Sequence, residues 1–189
     1  MIKITKITLF LFVILVGIAG GFEMRDNFID FDYLYKEFKN AKTPRQRTDI
    51  IMKFSDYREK SLNFLLMKLE SEQDDSVRAD ILGNISILMS TREDAEKILP
   101  YMHDSNCRIR FSTLSTLVMF RYKNINDLLK RTILSDNCKQ VKALAIWSFG
   151  DMGNKKVIPF LEDYKKKNND EQINKAIDRT LEKLKKPTN

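Results

Sequence analysis

The sequence predicts an all-α protein, an α-solenoid of about five helix pairs that follows an N-terminal export segment. Three observations lead to this prediction. The 189 residues include only six Gly and four Pro, which favours long helices over short strands and tight turns. A pattern of apolar residues returns every thirty-two positions, which is typical of repeat architectures. The chain begins with an uncharged apolar run behind two lysines.

Residues 1–21 have the pattern of a secretory signal. Lys3 and Lys6 precede an uncharged stretch from Ile7 to Phe22, and small residues around Ala19 suit cleavage. At about 1.5 Å of rise per residue the apolar core spans roughly 24 Å, short of the roughly 30 Å hydrocarbon layer. We therefore expect a cleaved signal peptide, with an uncleaved N-terminal anchor in the inner membrane as the alternative. Both place the rest of the chain in the periplasm or cell envelope.

The charge of the exported chain is mildly basic. The full sequence has a formal net charge of +7, and loss of Lys3 and Lys6 leaves +5 from 31 basic and 26 acidic residues. Such a surface attracts acidic proteins, anionic lipid or nucleic acid. Nucleic acid is the least expected of these outside the cytoplasm.

Residues 22–42 are expected to form an N-terminal capping helix. In the stretch from Phe28 to Asn40, the apolar residues Phe31, Leu34 and Phe38 fall on one side of a helix. A terminal unit of a helical array needs one apolar face and one polar face. This helix therefore suits the open end of the first unit.

Residues 43–189 carry the repeating pattern. An apolar residue followed by a polar or basic one recurs at an interval of thirty-two, and two further positions of the same stripe follow four and eight residues later. These spacings lie on one face of a helix. The first positions are Val77, Ile109, Val141 and Ile173; the second are Ile81, Thr113, Ala145 and Ile177; the third are Ile85, Leu117, Phe149 and Leu181.

Other features indicate that the helices stack. An earlier copy, one residue out of phase, has Ile50 and Phe54 on the stripe. A second apolar run follows each first helix, and a pair of this length cannot bury its apolar faces alone. Small polar residues recur where neighbouring helices would approach closely: Asn84, Thr116, Ser148 and Thr180.

The stretch VKALAIWSFGDMGNKKVIPFL, Val141 to Leu161, resembles the short bacterial HEAT-like unit of the HEAT-repeat family. Phe149-Gly150, Gly153 and the segment from Ile158 to Leu161 fall where that unit has Leu-Gly, Gly and Ile-Pro-x-Leu. The other copies lack the second Gly and in places the Pro. The resemblance extends over about residues 43–186 and implies a solenoid that binds other macromolecules, mostly without catalysis.

In the family that the sequence resembles, the second helix of each pair lines the concave side of the solenoid. The resemblance thus implies a non-enzymatic protein-binding or scaffold module whose partner-binding residues lie on the second helices. Tyr and Arg are enriched at binding hot spots, and nearby lysines would favour an acidic partner. The candidates are Lys97, Tyr101, Lys130, Arg131, Glu162 and Lys165.

Two other functions stay open at this point. Some HEAT-like proteins resemble phycobilin lyases, which hold a tetrapyrrole during its attachment. Others bind DNA in the manner of HEAT-like alkylpurine glycosylases, which would require the export signal to be false.

The sequence predicts no catalytic, cofactor or metal site. His103 is the only histidine, and a nucleophilic or metal site with Asp104 and Cys107 would need a further orienting group or ligand. Cys107 and Cys138 fall near equivalent turns of neighbouring units. Because packed helices lie about 8 to 10 Å apart and a disulfide needs Cα atoms within about 7 Å, we expect two unpaired thiols.

Two further expectations concern the turns and the single tryptophan. Asp104 and Asp136 precede the basic residues Arg110 and Lys142 by six positions. In HEAT-type arrays such acids and bases form a ladder between neighbouring turns, so we expect a structural role for them. Trp147 is expected to be a packing residue on an outer helix rather than a binding anchor.

Overall fold

The computed structural model describes residues 30–186, and every regular element in this range is helical. The all-α prediction is confirmed. Short 3₁₀ helices lie at Met52–Asp56, Leu99–His103 and Lys155–Val157. The α-helices are α1 (Phe31–Asn40), α2 (Pro44–Ile51), α3 (Arg58–Ser71), α4 (Asp75–Leu88), α5 (Arg92–Glu96), α6 (Cys107–Met119), α7 (Ile125–Ser135), α8 (Lys139–Asp151), α9 (Ile158–Lys167) and α10 (Glu171–Lys185).

The predicted signal or anchor segment, residues 1–21, lies outside the described residues, as does the start of the predicted cap. Between residues 30 and 186, none of the helices has both the length and the apolar character that a bilayer-spanning segment needs.

The helix starts repeat the period of the sequence. Helices α4, α6, α8 and α10 begin at residues 75, 107, 139 and 171, in steps of thirty-two. The side chains of Asp74, Asn106 and Asp170 accept hydrogen bonds from the first-turn N–H groups of α4, α6 and α10. These caps satisfy donors that have no partner within the helix, so the starts of these three helices are fixed by local chemistry. Helix α8 has no side-chain cap.

Helix α2 begins thirty-one residues before α4, which matches the phase shift seen in the sequence. Its start is a capping box, in which the Thr43 side chain accepts from the N–H of Gln46 and the Gln46 side chain accepts from the N–H of Thr43. Pro44 occupies the first helical position, where its missing N–H costs nothing. The first step is thus one residue shorter than the later ones, and the capping box fixes the start of α2 at this position.

The helices pack in a regular order. The leading helices (α2, α4, α6, α8 and α10) each contact the next one in the series. The trailing elements (α3; α5 with residues 99–103; α7; residues 155–157 with α9) alternate with them along the chain, and each packs against the following leading helix. Each helix pair thus shares its core with the next pair.

The predicted stripe is the core of this arrangement. Val77, Ile109 and Val141 have no exposed surface, and Ile173 is 2% exposed. The positions four and eight residues later are also buried, as are Ile50 and Phe54 in α2 and the turn after it. The row of small polar residues is buried too, at Asn84, Thr116, Ser148 and Thr180.

Helix α1 covers the first helix pair. Leu34 and Phe38 are buried, as the one-sided pattern predicts. The ring of Phe31 meets the rings of Phe54 and Phe64 edge-on, with centroids 5.5 and 6.0 Å apart. Such contacts add about 0.5–1.5 kcal/mol each to the burial of apolar area.

A ladder of ion pairs links the leading helices to the turns that follow their trailing elements. Arg110 Nε and Nη2 each lie 2.9 Å from a carboxylate oxygen of Asp136. Arg78 pairs with Asp104 in the same way, and Arg47 Nε lies 2.8 Å from Glu72. The acids at residues 72, 104 and 136 recur in steps of thirty-two.

The predicted ladder exists, but its pairing differs from the expected one. Asp136 bonds to Arg110, which lies twenty-six residues earlier, whereas Lys142 donates to the Tyr164 hydroxyl at 3.3 Å. Arg110 also donates to the backbone carbonyl of Asp104 at 2.7 Å. The chain turns back after each helix pair. Asp136, in the turn after α7, therefore lies beside α6, the first helix of the same pair, and bonds to Arg110 there.

The Arg110–Asp136 pair is the most enclosed rung, with side chains 9% and 7% exposed. Burial alone would raise the pKa of Asp136, but hydrogen bonds from Arg110 and from the Cys138 N–H, together with nearby positive charge, hold this pKa below its ordinary value of 3.8. A depressed pKa means that the carboxylate stabilises the fold fully above pH 3.8. This contribution is lost as the pH falls through the lower, folded-state pKa.

We predict that Asp136→Asn lowers the free energy of unfolding by about 3 kcal/mol at neutral pH, because it leaves the buried Arg110 guanidinium without a counter-charge. Asp127→Asn is the matched control, since Asp127 is exposed on α7 and makes no ion pair among the described residues. It should cost less than about 1 kcal/mol. Urea unfolding followed by circular dichroism measures both. If the difference in unfolding free energy between wild type and Asp136→Asn stayed the same well below pH 3.8, the stabilising role of the Asp136 carboxylate would be contradicted.

Candidate functional site

Two of the predicted partner-binding residues lie on the second helix pair, where Lys97 is ion-paired and Tyr101 is half-buried. Lys97 follows α5 and its Nζ lies 2.9 Å from a carboxylate oxygen of Asp94. Tyr101 is half-buried in the 3₁₀ turn, and burial, followed by the charge of Glu70, raises the pKa of its phenol. Tyr101 makes no hydrogen bond or ring contact with Arg131. Neither residue therefore offers a free positive charge to a partner.

Glu162 and Lys165 on α9 face its neighbour α10. The Lys185 ammonium lies 2.7 Å from Glu162, and this hydrogen bond lowers the pKa of the Glu162 carboxyl. Lys165 pairs with Asp178. Both predicted residues are thus engaged in holding α9 to α10.

Lys130 and Arg131 on α7, unlike the other charged candidates, have no ion-pair partner among the described residues. The Lys130 ammonium lies 5.8 Å from the ring centroid of Phe160 on α9, within the range of a cation–π contact. The Phe160 ring stacks on Tyr164 one turn later, with centroids 6.4 Å apart. Arg131 is exposed and makes no ion pair with any described residue. Helices α7 and α9 therefore present aromatic and cationic groups side by side.

The charge of the trailing segments changes along the chain. Residues 57–72 and 89–104 together contain five Lys and Arg against seven Asp and Glu. The equivalent residues 121–136 and 153–168 contain nine against four. Positive charge is therefore concentrated on the trailing segments of the third and fourth pairs.

Ion pairing sharpens this contrast. Three of the four acids in residues 121–136 and 153–168 are neutralised, since Asp136, Glu162 and Asp163 pair with cations. Asp127 is left without an ion pair in these two segments. Six cations there also have no acid partner among the described residues; we call them the basic surface: Arg121, Lys130, Arg131, Lys155, Lys156 and Lys166.

Four members of the basic surface were missed from the sequence: Arg121, Lys155, Lys156 and Lys166. A count of charge per thirty-two-residue unit would have found the excess. The sequence alone does not show which lysines are already paired, as Lys165 and Lys167 are.

A groove of about 500 Å³ is lined by residues of the leading helices α6, α8 and α10 and of the turn before α8. Trp147 lines it and is 44% exposed, so the expectation of a packing residue is wrong. The reason is its position: Ala145 and Phe149 take the buried stripe of α8, and Trp147 falls between them on the outer side. The remaining lining residues are Phe111, Asn137, Lys139, Gln140, Ala143, Gln172 and Ile173.

The prediction of two unpaired thiols is also wrong, because Cys107 and Cys138 form a disulfide with Cα atoms 5.9 Å apart. The expected separation used the distance between helix axes. Cys107 is the first residue of α6 and Cys138 is the residue before α8, and these two ends face each other. Facing residues at helix ends come closer than the axes do.

His103, Asp104 and Cys107, which are close in sequence, do not form an enclosed catalytic or metal site. His103 is exposed, and Cys107 is not a free nucleophile because it is in the disulfide. Within residues 30–186, no group of three or more His, Cys, Asp or Glu side chains is placed to hold a metal ion.

Comparisons with protein-family models, with curated proteins and with solved structures found no match to this chain.

Proposed function

We propose that the chain is a HEAT-like α-solenoid and a non-enzymatic protein-binding or scaffold module. Its basic surface, on α7, α9 and the turns that precede them, binds an acidic segment of another protein. The thirty-two-residue steps of the leading helices and their successive contacts support the solenoid. In such an array the trailing helices line the concave side, where a long partner can lie.

The uncompensated charge of the basic surface carries this proposal. Six cations face one unpaired acid in the same two segments, so the local field attracts negative charge. An exposed ion pair contributes only about 0.2–1 kcal/mol, so a single acidic residue would bind too weakly. The fitting partner is a segment with several Asp or Glu residues, whose affinity falls as salt is added.

The aromatic pair on α9 adds a second element of recognition. Phe160 and Tyr164 are half-buried and stacked, with Lys130 over Phe160 and Lys142 near the Tyr164 hydroxyl. Half-exposed rings supply apolar contact area, while the hydroxyl supplies a polar handle. The preferred partner segment thus combines acidic residues with at least one apolar side chain.

We expect a peptide of about ten glutamates to bind the protein purified from its native host, and the triple variant Arg131→Gln, Lys156→Gln, Lys166→Gln to bind it at least about tenfold more weakly, or 1.4 kcal/mol. Fluorescence anisotropy of the labelled peptide at two salt concentrations measures both. The matched control removes three cations on or directly after α10 that are already ion-paired: Lys175→Gln, Lys183→Gln, Lys186→Gln.

The control variant should lose less than about threefold in affinity, since its net charge changes equally but the basic surface is intact. Equal losses in the two triple variants would mean that only net charge matters. Preferential binding to vesicles of anionic lipid or to duplex DNA would replace a protein partner by a membrane or a nucleic acid. Either result would overturn the proposal.

We also propose that the protein works in the periplasm or cell envelope. The signal-like pattern of residues 1–21 supports export, and a disulfide persists best in an oxidising compartment. N-terminal sequencing of the protein from its native host should give a start just after Ala19 or Gly21. A retained Met1 in the membrane fraction would indicate the anchor instead, and a retained Met1 in the cytoplasm would exclude export.

A further inference from the structure

Successive leading helices are clipped together at equivalent positions. The first residue of one helix contacts the residue that precedes the next leading helix, thirty-one positions later. Between α4 and α6, the Asn106 amide donates to the Asp75 carboxylate at 2.6 Å. Between α8 and α10, the Lys139 ammonium lies 2.6 Å from the Asp170 carboxylate. The same site thus accepts a neutral–charged hydrogen bond at one step and an ion pair at another.

The middle step, between α6 and α8, carries the disulfide at this same site. Cys107 is the first residue of α6, and Cys138 precedes α8. We call this contact between the two helix starts a clip. Its position is common to the three steps, whereas the kind of bond differs: a hydrogen bond, a disulfide and an ion pair. The middle clip is the covalent one, and it can be opened by a thiol.

The disulfide lies at the edge of the groove that contains Trp147. Phe111, one turn after Cys107 on α6, lines the groove, as does Gln140, two residues after Cys138 on α8. The Gln140 amide oxygen lies 3.0 Å from the Cys138 sulfur. A change in the spacing between the starts of α6 and α8 would move two walls of the groove.

We propose that Cys107–Cys138 is a redox-modification site that fixes or loosens the α6–α8 step and with it the groove. A dithiol reductant attacks the disulfide and is itself oxidised to a disulfide. The Cys107–Cys138 bond breaks, and the two electrons and two protons of the dithiol give two cysteine thiols. Cys138 is only 8% exposed, and Cys107 is more exposed. The reductant therefore attacks the sulfur of Cys107.

The reduced chain keeps its fold, because other contacts hold the same step. The Arg110–Asp136 pair ties α6 to the residues just before α8, and Ile109 and Val141 remain packed in the core. Reduction therefore changes the local freedom of two helix starts, not the order of the helices.

Hydrogen exchange of the protein from its native host tests this, with and without dithiothreitol. Amides in residues 107–111 and 138–143 should exchange at least about threefold faster after reduction, while those of α4 and α10 should not change. Acrylamide quenching of Trp147, the only tryptophan, should increase as the groove loosens. The double variant Cys107→Ser, Cys138→Ser should resemble the reduced protein.

The matched control is Cys107→Asp with Cys138→Asn, which places the Asp75–Asn106 pair of the preceding step at the middle step. It should exchange more slowly than the Cys107→Ser, Cys138→Ser variant and be indifferent to dithiothreitol. Unchanged exchange after reduction of the wild type would overturn the proposal. So would a loss of the helical signal at 222 nm on reduction, because the disulfide would then hold the whole fold and not one step.

Discussion

The burial of one apolar stripe on every leading helix is the constraint on which the rest of the structure depends. Ile109 and Val141 have no exposed surface. Full burial of such a side chain is worth about 1.5–3 kcal/mol, and each leading helix buries several of them. The neighbouring leading helices supply part of that cover, and the trailing elements packed against each leading helix supply the rest. The thirty-two-residue period follows, since each helix must return to the same place beside its predecessor.

Polar contacts then select one register among those that the apolar stripe would permit. Arg110 is nearly enclosed, and its guanidinium finds both Asp136 and the carbonyl of Asp104 only when the turn stands where it does. A slipped register would leave this charge buried without a partner, which costs several kcal/mol. The ladder and the clips are therefore confined to the starts and turns of the leading helices. The cations of the basic surface take part in neither the ladder nor the clips, which leaves their charge free to serve a partner.

The sequence predicted those features that depend on one helix at a time. The stripe through Val77 and Ile173 follows from local spacing, and the structure buries it as expected. The helix starts then repeat the same thirty-two-residue step. The partner of Asp136 could not be predicted, because a contact over twenty-six residues depends on how the chain turns between helices. The Cys107–Cys138 bond was missed for a related reason, since helix ends can approach more closely than helix axes.

Other features depend on comparing units with one another. Arg121 has a positive φ of 48° at the position where the next unit has Gly153, with φ 65°. The thirty-two-residue period relates Arg121 to Gly153, but an arginine does not suggest a positive φ as a glycine does. The basic surface likewise appears only after ion pairs are subtracted: Lys97 and Lys165 look available in the sequence and are paired in the fold, whereas Lys156 is not.

The most direct measurement is the stability of a chain in which residues 107–138 are duplicated in place. This insertion reproduces one full period, so the stripe, the Arg110–Asp136 rung and the Cys107–Cys138 clip are all repeated in phase. If each unit is held by the same contacts with its neighbours, the longer chain keeps its ellipticity per residue at 222 nm and unfolds at a denaturant concentration no lower than that of the wild type. A duplication of residues 107–136, two residues short, should unfold earlier. Loss of helical signal in the in-phase chain, or equal stability of the two duplications, would contradict a fold built on the thirty-two-residue period.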